Sequence, residues 1–221
     1  MPRRPRLASG RYIFHVFNRA IQGLTLFESE ADYEAFLRVL VETCKCVPMR
    51  ALAYVIMPNH WHFVLWPFED CGLSDFMKRL SATHASRWRA ARGNKGRGAV
   101  YQGRYKAIAV QHGAHFVRVC RYVERNPVRA RLVARAEDWS WGSASPAAHS
   151  EGRPALAEWP VQRPQTWLEM LNVPEPVRSL NAIRSAIATG RHYGTPSWRL
   201  LTSRELRWRS GLRMPGRPKQ A

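Results

Sequence analysis

Two apolar runs, residues 51–57 and 63–66, flank the segment Pro58-Asn59-His60-Trp61-His62, and this short stretch constrains the rest of the chain. Pro presets its own φ and Asn accepts irregular backbone, so the pair marks a turn. The segment therefore reads as two antiparallel strands joined by a tight loop. His60 and His62 open the second strand two positions apart. Side chains at i and i+2 leave the same face of a strand, roughly 6.6 Å apart at ~3.3 Å per residue. Two imidazoles so placed can lean onto one divalent ion through neutral ring nitrogens, or can sit half-buried in ordinary hydrogen bonds. Trp61 points to the opposite face, toward whatever packs behind the sheet.

A lone hairpin cannot bury its own apolar surface, so its partners have to come from elsewhere in the chain. Residues 11–18 are rich in β-branched and aromatic types and predict a first strand. Ser29 and Asp32 look like a helix cap, and Tyr33, Phe36, Leu37, Leu40 and Val41 follow helical spacing, which predicts a helix over 29–46. Strands over 50–57 and 60–66 follow. A second helix opens at Ser74, a basic loop spans 93–98, and a fourth strand returns over 101–110. The order β-α-β-β-α-β predicts an α+β protein with a ferredoxin-like antiparallel sheet and helices on one face. The other face needs a cover or a use.

A third helix, over 114–125, is dense in Arg and carries Tyr122. Asn126 lies one turn on. It shares the tyrosine's face if the helix continues, or it caps a fresh turn that has Pro127 at its first position. Between residues 146 and 176 six prolines break the pattern, with a helix expected at 176–189. The chain thus divides into a domain over 1–145 and a Pro-interrupted, basic extension over 146–221. The last 25 residues hold seven Lys and Arg against one Glu, and Gly216-Arg217-Pro218 resembles half of a minor-groove-binding hook.

The formal charge of +19 is unevenly spread: residues 71–135 carry 15 Lys and Arg against 2 Asp and Glu. Such a footprint calls for a polyanion. No apolar run reaches the ~18 residues of a membrane span, and the basic N-terminus lacks the apolar stretch of a secretory signal. The four Cys do not form paired metal motifs, so buried free thiols in a reducing cytosol are expected.

Taken together, residues 12–19, Asp32-Tyr33, Met57 to His62, Tyr101 to Lys106, Arg121 to Ala130 and Trp139 to Trp141 resemble one family. This is the single-tyrosine, His-hydrophobic-His (IS200-like) transposases, and within them the REP-associated tyrosine transposases. Two positions depart from the usual pattern: Trp61 replaces an aliphatic residue between the histidines, and Tyr101 stands where Trp is common. The resemblance implies a metal-dependent enzyme that cuts and transfers single-stranded or hairpin DNA. Tyr122 would be the nucleophile, and His60, His62 and Asn126 would hold Mg2+ or Mn2+. A free phenol titrates near pH 10, so such chemistry needs neighbouring cations. Arg104, Lys106, Arg118, Arg121, Arg125, Arg129 and Arg217 are the expected contacts to DNA. The same resemblance implies a cytoplasmic, nucleoid-associated monomer or homodimer. A non-catalytic hairpin-binding protein would use the same charge, whereas relaxases and rolling-circle initiators usually place the tyrosine before the histidines or add helicase domains.

Overall fold

A computed structural model describes residues 10–93 and 98–206 of the protein. Its sheet contains β1 (Ile13–Arg19), β2 (Met49–Met57), β3 (His60–Pro67) and β4 (Lys106–Val110). The strands lie in the order β2-β3-β1-β4, every neighbouring pair antiparallel. Helices α1 (Glu30–Cys46) and α2 (Gly72–Ala91) make the two crossovers, which completes the expected ferredoxin-like arrangement. α1 begins where its cap predicts, with the amides of Glu28 and Ser29 donating to Asp32 Oδ2 at 3.0 and 3.2 Å.

Strand alternation sends two sets of side chains to two layers. Phe14, Val16, Tyr54, Ile56, Trp61 and Phe63 pack under Phe36, Leu37, Phe76 and Leu80 of α1 and α2. Ile13, Val55, Met57, Val64, Ile108 and Val110 face the other way. That second face meets Phe116, Val119 and Val123 of α3 (Ala114–Glu124), Trp167 and Leu171 of α5 (Trp167–Asn172), and Ile183 of α6 (Val177–Thr189). The short α4 (Asn126–Arg129) follows α3, and α7 (Pro196–Glu205) ends the described chain. The cover that the sequence left unassigned is thus α3 plus much of 146–206. Residues of that stretch also bond to both sheet edges: Ala157 N donates to Ala51 O at 2.8 Å, and Tyr193 N to Ala109 O at 2.8 Å.

The structure differs from expectation at a few places. The fourth strand is five residues long rather than ten, and Tyr101 makes only an isolated bridge to Ala20. Between them the chain leaves the sheet edge around Gly103, whose carbonyl accepts from Asn18 Nδ2 at 3.2 Å. A glycine offers no side chain to hold an edge pairing. α2 starts two residues before Ser74, after Cys71 takes a left-handed φ of 68°. Cys46 and Cys71 are exposed at a helix end and in a turn, whereas Cys120 is buried, so burial of all the thiols is not what the fold uses. The basic N-terminal arm, the centre of the 93–98 loop and Arg217 lie outside the described residues. Among the described residues no helix is long and apolar enough to cross a membrane.

Candidate active site

Met57 pairs with His60, which leaves Pro58 and Asn59 as a two-residue turn. Neither residue has positive φ, so this is not the primed turn that tight hairpins favour. It is held from outside. Leu26 and Phe27 amides donate to the Pro58 carbonyl at 2.8 and 3.0 Å, and the Ala20 amide donates to that of Asn59 at 2.9 Å. The start of β3 is thereby fixed, with Trp61 fully buried beneath α1 and α2 and both histidines on the α3 face.

The two imidazoles stand at 89° to one another with ring centres 5.1 Å apart. His60 Nδ1 donates to Asn59 Oδ1 at 2.7 Å, which leaves its Nε2 as a lone-pair donor. His62 Nδ1 lies 2.9 Å from Nε2 of His15, a fully buried residue on β1. When His62 donates this proton its own Nε2 becomes available as a ligand, and the His15 proton moves to Nδ1, an atom with no partner among the described residues. Burial, reinforced by Arg19 and Arg129, lowers the His60 pKa to about 4, and burial with Arg129 lowers His15 to about 3. His62 falls well below its ordinary value for the same first reason, helped by the neighbouring histidines. The rings are therefore neutral near pH 7, the form a metal requires.

Tyr122 projects from α3 with its ring centre 6.0 Å from those of both His62 and His15. The Arg129 guanidinium lies 4.1 Å over the Tyr122 ring, and its Nη2 donates to the Tyr122 carbonyl at 3.0 Å. Glu175 Oε2 is shared by Arg129 at 3.2 Å and Arg125 at 3.6 Å, so two cations face one carboxylate. Burial lowers the Arg129 pKa, which Glu175 partly offsets.

α3 runs into α4 through Arg125 in a helical conformation, φ −83° and ψ 0°, which keeps Asn126 on the Tyr122 face. Arg125 occupies the cap position, and no side-chain cap bond is made. The capping role expected as one alternative for Asn126 is absent. Asn126 is instead 8% exposed, and its Nδ2 lacks a partner among the described residues. A buried amide left unpaired costs about 1–3 kcal/mol, which a bound group would relieve. The amide can also present its oxygen by rotating about χ2.

His60, His62, Tyr122, Asn126 and Arg129 line one cavity of about 620 Å3, with Arg19, Arg104, Lys106 and Arg184 also on its wall. Among the described residues no three His, Cys, Asp or Glu side chains form a metal cluster. The available donors are two neutral imidazoles and a carboxamide, which fit a divalent ion, and the nitrogen pair suits Mn2+ better than Mg2+.

The remaining cations expected at DNA go elsewhere. Arg118 faces a second cavity. Arg121 Nη2 donates to the Val173 carbonyl at 2.8 Å, and Arg125 engages Glu175. The sequence reading missed His15, Arg19 and Arg184. Alternation along β1 could have placed His15 on the same face as Phe17, the residue opposite His62. Arg184 had no local signal.

The ferredoxin-like sheet agrees with the comparisons to known proteins. The family described as IS200-like transposases matches residues 9–126. That is just over half of the chain, and the protein belongs to this family. Among solved structures it is similar to a REP-associated tyrosine transposase bound to a REP hairpin. The TM-score is 0.53 and the identity 17%, over 65% of this chain and 82% of that one. At this identity the likeness is one of fold. No curated protein matches.

Proposed function

We propose that the protein cuts and rejoins single-stranded or hairpin DNA through a covalent 5′-phosphotyrosine at Tyr122. The observation that carries this reading is the meeting of Tyr122, His60, His62 and Asn126 in one cation-walled cavity, in a chain of the IS200-like transposase family. In the cutting step a Tyr122 Oη–P bond forms and the P–O3′ bond breaks. The 3′ oxygen leaves as a hydroxyl, and the phenol loses its proton. Attack by a 3′-hydroxyl on the phosphotyrosine reverses the step, so the link conserves the bond and no nucleotide cofactor is needed.

His60, His62 and Asn126 would hold Mg2+ or Mn2+, which supplies charge neutralisation at the scissile phosphate. Arg129 keeps the Tyr122 ring oriented, and Arg19, Arg104, Lys106 and Arg184 would receive the flanking phosphates. The REP hairpin in the similar structure makes folded palindromic repeats the natural substrate class. Such a protein works at the chromosome, hence in the cytoplasm and on the nucleoid, as a monomer or homodimer. A hairpin-binding role without cleavage is favoured by one observation: Tyr122 is only 8% exposed beneath Arg129.

The two readings separate on a denaturing gel. Incubated with a palindrome-bearing single strand and Mn2+, the protein should form an adduct that EDTA abolishes. Tyr122→Phe should lose the adduct while retaining DNA binding. Hairpin binding with no adduct under either metal would establish the binding role instead.

A further inference from the structure

α6 is a partition between two cavities. Arg184 and Ile187 line the catalytic cavity, whereas Arg178, Ala182 and Ser185 line a second one of about 590 Å3. At 100° per residue these sets fall on opposite sides of the helix, so the cavities stand about one helix diameter apart, ~10–12 Å. Arg118 from α3, Arg191 from the loop after α6 and Arg199 from α7 complete the second cavity's cationic wall.

This wall is built rather than frayed. Gly190 ends α6 with a left-handed φ of 67°. Tyr193 N then bonds Ala109 O at 2.8 Å, and Gln111 N bonds Tyr193 O at 2.9 Å, so the 191–194 loop extends the β4 edge. Thr195 N donates to Gln111 Oε1 at 2.7 Å. A Cβ at Gly194 would lie 2.5 Å from Trp198 and 2.7 Å from Gln111, so the loop closes tightly there. The charges are also uncompensated. Elsewhere Arg87, Arg92, Arg125, Arg129 and Arg153 each meet a carboxylate. Among the described residues Arg118, Arg178, Arg191 and Arg199 form no such ion pair. Four like charges converging on a concave space favour a polyanion over bulk water. Ala182, Ser185 and Thr189 give the α6 side a small-residue lining on which a sugar-phosphate chain can lie closely.

We infer that the second cavity binds the phosphodiester backbone of the DNA engaged in the catalytic cavity, at a point where that DNA has crossed α6. The inference rests on the reading of the catalytic cavity as a DNA site. It adds a footprint that the catalytic residues do not supply.

The test measures fluorescence anisotropy in EDTA, so that no cleavage is involved. A strand of about four nucleotides is compared with a hairpin and an unpaired strand of about 20. In the triple variant Arg178→Ala, Arg191→Ala, Arg199→Ala the log–log salt slope for the long DNAs should fall by about 2–3, at ~0.7–0.9 for each phosphate no longer neutralised. Binding of the short strand should stay as in wild type. Loss confined to the hairpin identifies duplex backbone, and loss with both long DNAs identifies a single strand. Ala182→Glu, at an exposed site on the same wall, should weaken long DNA without removing any arginine. Unchanged slopes, or equal loss for short and long DNA, overturn the inference. Failure to form an adduct in the gel experiment would sink the catalytic reading and leave this result standing.

Discussion

The indole Nε1 of Trp61 donates to the phenolic oxygen of Tyr101 at 3.2 Å, so the two residues that depart from the usual family pattern touch each other. The Tyr101 hydroxyl in turn hydrogen-bonds with Nδ1 of His84 at 2.6 Å. All three side chains are buried, His84 being a residue of α2. An indole in place of an aliphatic residue needs an acceptor behind β3, and a tyrosine oxygen provides one. The strand that carries His60 and His62 is thus anchored from its far side.

Tyr101→Phe should therefore leave the Trp61 N–H and His84 Nδ1 unpaired together, at a cost of about 2 kcal/mol or more. Urea denaturation of Tyr101→Phe, Trp61→Phe and the double variant should give a coupling of about 0.5–3 kcal/mol. Strict additivity would mean that the two departures are independent.

Stability should decline on the acid side of neutrality. Burial lowers the His84 pKa to about 3, against ~6.5 in an unfolded chain. The unfolded state then binds the extra proton, so this contribution is complete above about pH 6.5 and is lost as pH falls from there toward 3. At pH 5 the loss from His84 is about 2 kcal/mol. His15 and His60 act in the same direction. Denaturation midpoints at pH 7.5 and pH 5 should show the drop, and His84→Gln should make it smaller. Equal midpoints would show that these rings are not held neutral by the fold.

His15 meets the candidate ligands through His62, at 2.9 Å. Removing a partner that orients a ligating histidine typically lowers metal affinity about 10–100-fold. Calorimetric titration of DNA-free protein with Mn2+ should show such a loss for His15→Leu and a milder one for His15→Gln, which keeps an acceptor. Wild-type affinity in His15→Leu would assign His15 to packing alone.

Asn126→Ala should weaken Mn2+ binding with little loss of stability. No cap bond is broken, and an unpaired buried Nδ2 is removed. A helix cap lost at this position would instead cost about 1 kcal/mol. Thermal unfolding without metal and calorimetry with it report the two effects separately.

The strand alternation that put His60 and His62 on one face and Trp61 on the other was readable because side-chain direction in a strand has a period of two. The amphipathic spacing of α1 and the β-α-β-β-α-β order were readable for the same kind of local reason, and together they specified the ferredoxin-like sheet. The fourth strand was overextended because the residues around Tyr101 look β-forming, whereas the chain leaves the sheet edge near Gly103 to wall the cavity.

Local pattern could not say what covers the second face of the sheet, because that depends on packing between residues far apart in the chain. α6 joins the apolar cluster on that face although it comes more than a hundred residues after β1, β2 and β3. The same packing brings Glu175 to Arg125 and Arg129, and Arg184 to the cavity lined by His60, His62 and Tyr122. His15 is paired to His62 by the strand order β3-β1, since a strand's own sequence fixes which face a side chain leaves but not which neighbour lies beside it. The sequence by itself thus determined which side chains are candidates for ligands and nucleophile. Tertiary packing decided their distances, their proton positions and the cations that surround them, because each of those depends on burial among elements that only the folded chain brings together.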